Sequence, residues 1–404
     1  MTEMLASLKR AAKAIPPVRR LNASMKAART VRAYRRLDDF YRRRREELCI
    51  GSLDAYVQDL LREHLSRRRL NLRDRPNADL RILYVGTDWG QDSGGFLQSL
   101  ERLGKVYTFT TSDGEYGHYF YGSGADARRR RLENGRRLLE LVKQAQADGP
   151  LHVVMGQMWG RTMPWQALQA VQDMGIVTVN VCMDDRHIFR GTSGGDGWTG
   201  TAGLMPGLDL ALTAAPEVVR WYAVEGCPAA FWPEASDPGV FHPIVGPRTH
   251  DVCFVGANYG VRSEIVQAIR RRSVEVVCYG QGWPNGRIAT RDVPGLFAAS
   301  RIVLGVGTIG HCTDFFSLKM RDFDAPMSGS LYITHNNPDL YALYRVGEEI
   351  VTYICPEECA DQVVYYLSHE SEAERIAKAG CERARREHTW DRRLAALLAL
   401  LETP

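Results

Sequence analysis

The stretch Ser317-Leu-Lys-Met-Arg-Asp-Phe-Asp-Ala-Pro-Met-Ser-Gly329 reads as the opening of a helix, with Lys319 and Arg321 in its first turns and Asp324 one turn after Arg321. A helix N-terminus carries partial positive charge and prefers anions. Cations there are wasted unless something negative joins them. A diphosphate would do so, lying between Lys319 and Arg321 on one side and Arg262 on the other. Arg262 opens a second helix, directly after the turn Gly256-Ala-Asn258-Tyr-Gly260, where backbone N–H groups at a helix start favour anions. Asp324 would then accept hydrogen bonds from the vicinal hydroxyls of a ribose, as acids do in other nucleotide folds. The competing explanation is a surface helix laced by Lys–Asp and Arg–Asp pairs.

A second group stands at Asp184-Asp185-Arg186-His187, where a probable strand ends. Ligands of open α/β sheets bind at that edge. Asp185 is the first candidate for an acceptor contact or general base and Asp184 the second, against a plain helix cap or a pair with Arg186. His118, in a Gly/Tyr-rich loop over 112–124, is a further catalytic candidate. His311, in Gly307-Thr-Ile-Gly-His-Cys-Thr-Asp314, is a candidate for the donor side. Both fit ordinary loop histidines equally well. Trp89, Gly94 and Gly95, in the turn after the first strand, would shape the acceptor side, unless the glycines only permit the turn. Neither glycine turn fits G-x-G-x-x-G, and no G-x-x-x-x-G-K-[ST] occurs, which argues against dinucleotide enzymes and P-loop NTPases. The nine cysteines include no C-x-x-C pair, so reduced, buried thiols are expected rather than a metal or redox site.

The elements that must position these groups alternate. Apolar strand-like runs at 80–85, 106–111, 151–155, 176–182 and 208–213 are separated by helical segments. After the Pro-rich linker Trp232-Pro-Glu-Ala-Ser-Asp-Pro-Gly-Val-Phe-His-Pro243 the pattern restarts, with strands at 251–255, 274–279, 302–306 and 330–334 and a helix over 316–327. Strands alternating with helices predict α/β domains with doubly wound parallel sheets. The expected units are a helical extension over 1–77, with Pro16-Pro17 splitting its first part, Rossmann-like domains over 78–243 and 244–385, and a final helix over 386–404 packing back toward the first domain.

The 404 residues carry 52 Lys+Arg against 48 Asp+Glu, a net charge of +4. That near-neutral total hides a division. Residues 1–45 hold fourteen Lys/Arg and three acids, a balance of +11, leaving −7 for the remainder. No apolar run approaches the ~18 residues of a membrane span, and no secretory signal opens the chain, so a cytoplasmic protein is expected. For the arm, three roles compete: adsorption to an anionic membrane at its inner face, nucleic-acid binding, and packing on the acidic body or a partner subunit. Nucleic acid is the least favoured.

The run Leu318 to Gly329, His335-Asn-Asn-Pro-Asp-Leu340, Gly347-Glu-Glu, Tyr353, Pro356-Glu-Glu, Tyr365-Tyr-Leu, Ile376-Ala-Lys-Ala-Gly380 and His388-Thr-Trp-Asp-Arg392 resembles the C-terminal domain of the CgeB-like (spore maturation protein-like) glycosyltransferases. Val255-Gly256 with Arg262, the 232–243 linker and Thr178 to Asp185 also look like that family. The resemblance covers roughly residues 80–395. It implies the GT-B fold, two Rossmann-like domains facing a cleft, with the acceptor on the first domain and a nucleotide-diphosphate sugar, UDP-sugar as first choice, on the second. Carried over, Lys319 and Arg321 contact the diphosphate, Arg262, Gly256 and Asn258 assist, and Asp324 stands where the family usually has Glu. Asp322-Phe-Asp324 spells D-x-D, the metal motif of the other major glycosyltransferase fold, but inside a helix behind two cations. The expectation is therefore a metal-independent transferase without a cofactor, acting on a glycan, glycolipid, protein or small-molecule acceptor. The alternative is a non-catalytic nucleotide- or sugar-binding protein that kept the fold.

Overall fold

The computed structural model describes residues 16–66, 80–88, 90, 92–110, 124–194 and 197–402. It begins with α1 (Pro16–Glu47) and α2 (Leu53–Ser66). Pro16 and Pro17 stand in the first turn of α1, where a missing N–H is tolerated, and so open the helix rather than split it. The first domain follows as β1 (Leu80–Val85), α3 (Leu97–Leu103), β2 (Gly104–Phe109), α4 (Gly124–Ala147), β3 (Val153–Gly156), α5 (Trp165–Asp173), β4 (Val177–Cys182), the single turn α6 (Asp185–Ile188), a hairpin of β5 (Ser193–Gly194) and β6 (Gly197–Trp198), β7 (Leu210–Thr213), α7 (Val218–Val224) and β8 (Ala229–Phe231). The second domain runs β9 (His250–Val255), α8 (Arg262–Arg270), β10 (Val276–Tyr279), α9 (Val293–Ala298), β11 (Ser300–Leu304), α10 (Arg321–Met327), β12 (Leu331–His335), β13 (Val351–Tyr353), α11 (Pro356–Ser368) and α12 (Glu370–Glu387), and α13 (Trp390–Leu401) ends the chain.

Both main sheets are parallel, in the orders β2-β1-β3-β4-β7-β8 and β10-β9-β11-β12-β13. Strands covered on both faces need near-continuous apolar runs. Leu-Arg-Ile-Leu-Tyr-Val of β1 provides one, with Ile82 in register with Val106 and Val153. One face of the first sheet packs on α4, α5 and α7 through Leu138, Leu168 and Trp221. The other face is covered from both ends of the chain, by Leu61 and Leu65 of α2 and by Trp390, Leu394, Leu397 and Leu401 of α13. Thr389 caps α13 by accepting the Arg392 N–H at 3.3 Å. The last helix thus belongs spatially to the first domain, and the chain crosses between domains twice, at 232–243 and at 388–389.

The helix expected over 316–327 is shorter. Residues 316–317 are held extended by the Thr308–Phe316 bridge and the Ser317 N–H to Gly307 C=O bond, 3.0 Å. The helix therefore begins at Arg321 and Lys319 precedes it. Asp322 closes the turn by accepting the Lys319 N–H at 2.6 Å.

The described part of the basic arm packs on the body. At ~1.5 Å per residue, α1 is about 48 Å long and spans both domains. Tyr41 is fully buried, stacked on Trp221 at 5.7 Å, and its hydroxyl donates to Glu225 at 2.6 Å. Asp38 accepts from Trp221 Nε1 at 3.0 Å and pairs with Arg220. Nearer its start, Ala27, Val31 and Tyr34 lie on Ile309, Cys312 and Phe315 of the second domain. No helix among the described residues is long and apolar enough to cross a membrane. Truncating a buried aromatic side chain leaves a cavity costing ~3–5 kcal/mol. Tyr41→Ala is expected to destabilise the protein by about that amount, read as a fall in the urea midpoint without a change in slope.

Candidate functional site

At the C-terminal edge of the second sheet β9 ends on Val255 and the chain turns at Gly256. A Cβ on Gly256 would lie 2.9 Å from Arg321 Nη1 and 3.3 Å from Arg262 Nη1. The missing side chain is the space that two guanidiniums share. Trp283 Nε1 donates to the Gly256 carbonyl at 2.8 Å, and the Asn258 N–H donates to Gln281 C=O at 2.8 Å, which fixes the turn. The Asn258 amide donates to Gly282 C=O at 3.3 Å, so Asn258 shapes the turn.

Arg262 donates to Ala257 C=O at 2.7 Å and to the Tyr259 hydroxyl at 3.2 Å. Arg321 donates to Val255 C=O at 2.7 Å and Val306 C=O at 3.3 Å. Both guanidiniums lie over the Phe254 ring, at 5.5 and 4.9 Å, and Arg262 lies over Tyr259 at 4.1 Å. Their partners are neutral carbonyls, a hydroxyl and ring faces. Neither has a carboxylate partner among the described residues, and the Nε atom of each is buried without an acceptor. Burial, and then Arg321, push Arg262 down to about 10. A buried cation is normally paired; Arg262 is buried and Arg321 partly so, and two such charges side by side would suit a multivalent anion. His335 lies behind them. Burial, and then Arg262, push it down to about 4, so it stays neutral and its Nδ1 accepts the Gly307 N–H at 3.2 Å.

Across the cleft, Lys319 Nζ stands 3.6 Å from the half-exposed Asp184 carboxylate, an ion pair joining the two domains. Asp185 takes a different position from that expected of a cleft residue. Its carboxyl is enclosed in the first domain, accepting from the Thr213 hydroxyl at 2.9 Å and the Tyr222 hydroxyl at 3.3 Å, and burial raises it to about 8. Two hydroxyls at the end of β7 and on α7 draw it inward. Arg186 does not pair with Asp185. It binds Glu217 at 2.7 and 2.8 Å and reaches over the seam to Asp339 at 2.6 Å and Phe316 C=O at 2.8 Å. Asp324 is also closed off. It sits beneath Ser236 of the linker, its Oδ1 has no partner, and burial holds it well above the usual carboxylate range. A ribose reaches it only if the linker moves. Asp322, the other acid of D-x-D, is occupied by the Lys319 N–H and the Tyr332 hydroxyl at 2.5 Å.

Gly95, at φ +129°, faces the linker, where a Cβ would lie 2.4 Å from Asp237 Cβ, and Gly94 faces Thr290 of the second domain. Both serve the close approach of the domains. Asp237 accepts from Arg102 at 3.0 Å, and Arg102 also holds Asp391 of α13 at 2.8 Å. His311 is exposed in the loop that packs on α1. Trp89 and His118 lie outside the described residues. Among the described residues no group of three or more His, Cys, Asp or Glu is arranged to hold a metal ion.

Sequence reasoning passed over Glu234. It is buried in the linker with Oε2 unpartnered, facing Lys319, Asp322, Asp184 and Asp324, and burial raises it to about 8. A glutamate inside a Pro-rich linker has no spacing signature; its only signal was apolar Trp232 and Ala235 around it.

Residues 262–399, from α8 through α13, match a family described as glycosyl transferase-like. No curated protein sequence matches the chain. Among solved structures, sucrose-phosphate synthase from Thermosynechococcus elongatus superposes with a TM-score of 0.56 at 12% identity, covering 80% of this chain and 98% of that one. HepE from Anabaena, solved with UDP and glucose, gives 0.53 at 12% over 80% and 100%. A glycosyltransferase from Rickettsia africae gives 0.53 at 12% over 80% and 98%. At such identity the likeness concerns the fold, which is GT-B: two parallel-sheet Rossmann-like domains.

The raised Glu234 has a pH consequence. Between about pH 4.5 and 8 the folded protein keeps a proton that the unfolded chain releases, so its contribution to stability falls as pH rises. Glu234→Gln is expected to match the wild type near pH 4 and to exceed it near pH 8, by up to a few kcal/mol at ~1.4 kcal/mol per unit. Urea midpoints across that range measure it; a constant difference between the two proteins would refute the assignment.

Proposed function

We propose that the protein is a glycosyltransferase drawing its sugar from a nucleotide-diphosphate donor, a UDP-sugar first, without a metal ion. The observation that carries the reading is the Arg262–Arg321 pair, a buried and a partly buried guanidinium on Phe254 with only neutral partners among the described residues, beside a glycine that leaves the approach open. In glycosyl transfer the bond from the anomeric carbon to the β-phosphate oxygen breaks, an acceptor oxygen bonds to that carbon, and the acceptor's proton must leave. Fixed cations aimed at the diphosphate stabilise the charge that develops on the leaving group. The guanidinium pair supplies them at this edge, and Lys319 completes the set once the donor phosphates replace Asp184 as its partner. Asp184, half-exposed on the first domain and facing Lys319 across the cleft, then takes the acceptor's proton.

The glycosyl transferase-like match over 262–399 supports the reaction class. UDP in the fold's structural relative HepE supports the donor. The finer assignment, a CgeB-like enzyme acting on a glycan, glycolipid, protein or small-molecule hydroxyl, rests on the motifs of Leu318–Gly329 and His335–Leu340. A non-catalytic nucleotide- or sugar-binding protein is the second reading, favoured by the enclosure of the candidate base Asp185. UDP release from UDP-glucose separates the two, since a binder releases none.

The pair also yields a prediction with two signs. Arg321→Gln removes a charge-assisted partner of the diphosphate, worth ~1.5–3 kcal/mol, and relieves repulsion with Arg262. UDP affinity by calorimetry is expected to fall about 10- to 100-fold while the Tm without ligand rises. Unchanged UDP affinity in this variant would make the pair structural.

A further inference from the structure

The first described turns of α1 and the donor turn enclose a cavity of about 520 Å³, lined on the arm by Asn22, Lys26 and Arg29 and opposite by Tyr259, Ser263 and His311. Among the described residues no acidic side chain lines it. Lys26 and Arg29 stand three residues apart and so project from one side of the helix. Neither has a carboxylate within ion-pair distance among the described residues, whereas farther along the arm Arg42 pairs with Asp38 and Asp39, and Arg44 with Glu47. The walls are fixed. Ala27 and Val31, on the neighbouring side of the same turns, pack on Ile309, Cys312 and Phe315. Gly260 approaches the Gly310 carbonyl so closely that a Cβ would overlap it, which ties the His311 loop to the donor turn. Tyr259 is a shared wall: it lines the cavity, and its ring lies on the Arg262 guanidinium. The cavity therefore adjoins the diphosphate site on the far side of one aromatic ring.

We propose that this cavity is a second anion subsite of the cleft, which takes a phosphate or carboxylate carried by one of the two substrates, and that the arm supplies its cations. Lys26 and Arg29 bring the charge, while Ser263, Asn22 and His311 offer further donors for the remaining oxygens. As a subsite of the transferase it rests on the donor reading above; its affinity for an oxyanion does not. Two sources share this chemistry, a phosphate on the acceptor and a carboxylate on the donor sugar.

The test is calorimetric and thermal-shift titration of the full chain with inorganic phosphate, at constant ionic strength and with UDP saturating, comparing the wild type with the exposed-site variant Lys26→Gln/Arg29→Gln. The wild type is expected to bind phosphate beside UDP, the variant to bind it at least tenfold more weakly, and UDP affinity to stay within about threefold. Equal phosphate binding by both proteins, or none by the wild type, overturns the proposal. If UDP does not bind but the two proteins still differ toward phosphate, the donor reading fails and the anion site stands. UDP-glucuronate binding at least tenfold tighter to wild type than to variant, with UDP-glucose equal, assigns the anion to the donor. Displacement of phosphate by glucose 6-phosphate with UDP bound assigns it to the acceptor. If neither displaces phosphate, the site holds an adventitious ion only and the proposal falls.

Discussion

Two like charges held side by side inside a protein constrain everything around them. Arg262 and Arg321 repel, Arg262 has lost its water, and no acid among the described residues pairs with either. They persist because the surrounding backbone is arranged for them. The carbonyls of Val255, Ala257 and Val306 point at their N–H groups, which is available only where parallel strands end and turns begin. The negative face of Phe254 lies beneath both, and Gly256 leaves out the atom that would push them apart. The sheet edge, the glycine turn and the two helix starts follow from the need to hold this pair. A fold does not accept that arrangement for stability alone, since an isosteric apolar substitution would be less costly. On the proposed reading, what balances it is the donor's diphosphate.

The seam between the domains is graded in strength. Arg186 is nearly buried, shares two carboxylates and a carbonyl, and joins the domains by a network whose rupture would strand charges out of water. Arg102 forms a second knot with Asp237 and Asp391. Lys319–Asp184 is different: at 3.6 Å with Asp184 half-exposed, it belongs with ion pairs worth ~0–1 kcal/mol. On the proposed reading an incoming diphosphate would take Lys319 from Asp184 at little cost, while Arg186 keeps the domains in place.

Much of the architecture was legible because parallel strands in the middle of a sheet announce themselves as apolar runs, as β1, β4 and β9 do. The three-residue edge strands β8 and β13 were not, since Ala-Ala-Phe and Val-Thr-Tyr are too short to show a period. Side-chain direction was the least legible. Asp184 and Asp185 are equivalent in sequence, yet one faces Lys319 and the other is drawn inward by Thr213 and Tyr222, partners 28 and 37 residues downstream. The start of α10 moved by several residues because a bridge from Thr308 to Phe316 overrode local helical preference. The cation set survived that shift; the idea that Lys319 sits on the helix did not.

The arm shows what charge counting conceals. Its +11 suggested an object seeking something acidic outside the molecule. The positions that fix it, Ala27, Val31, Tyr34, Asp38 and Tyr41, recur at spacings of three and four and form a single stripe. That stripe is seated on α7 and on the loop around Phe315. A helix lying on a lipid surface needs the same stripe for the acyl chains, so the two uses exclude each other while the arm is docked. What remains outward is the arginine-rich face of a rod laid across both domains. Its field falls off over about one Debye length, ~8–10 Å, so it acts on whatever approaches the cleft. The basic segment is better understood as part of the wall of the site than as a tether attached to it.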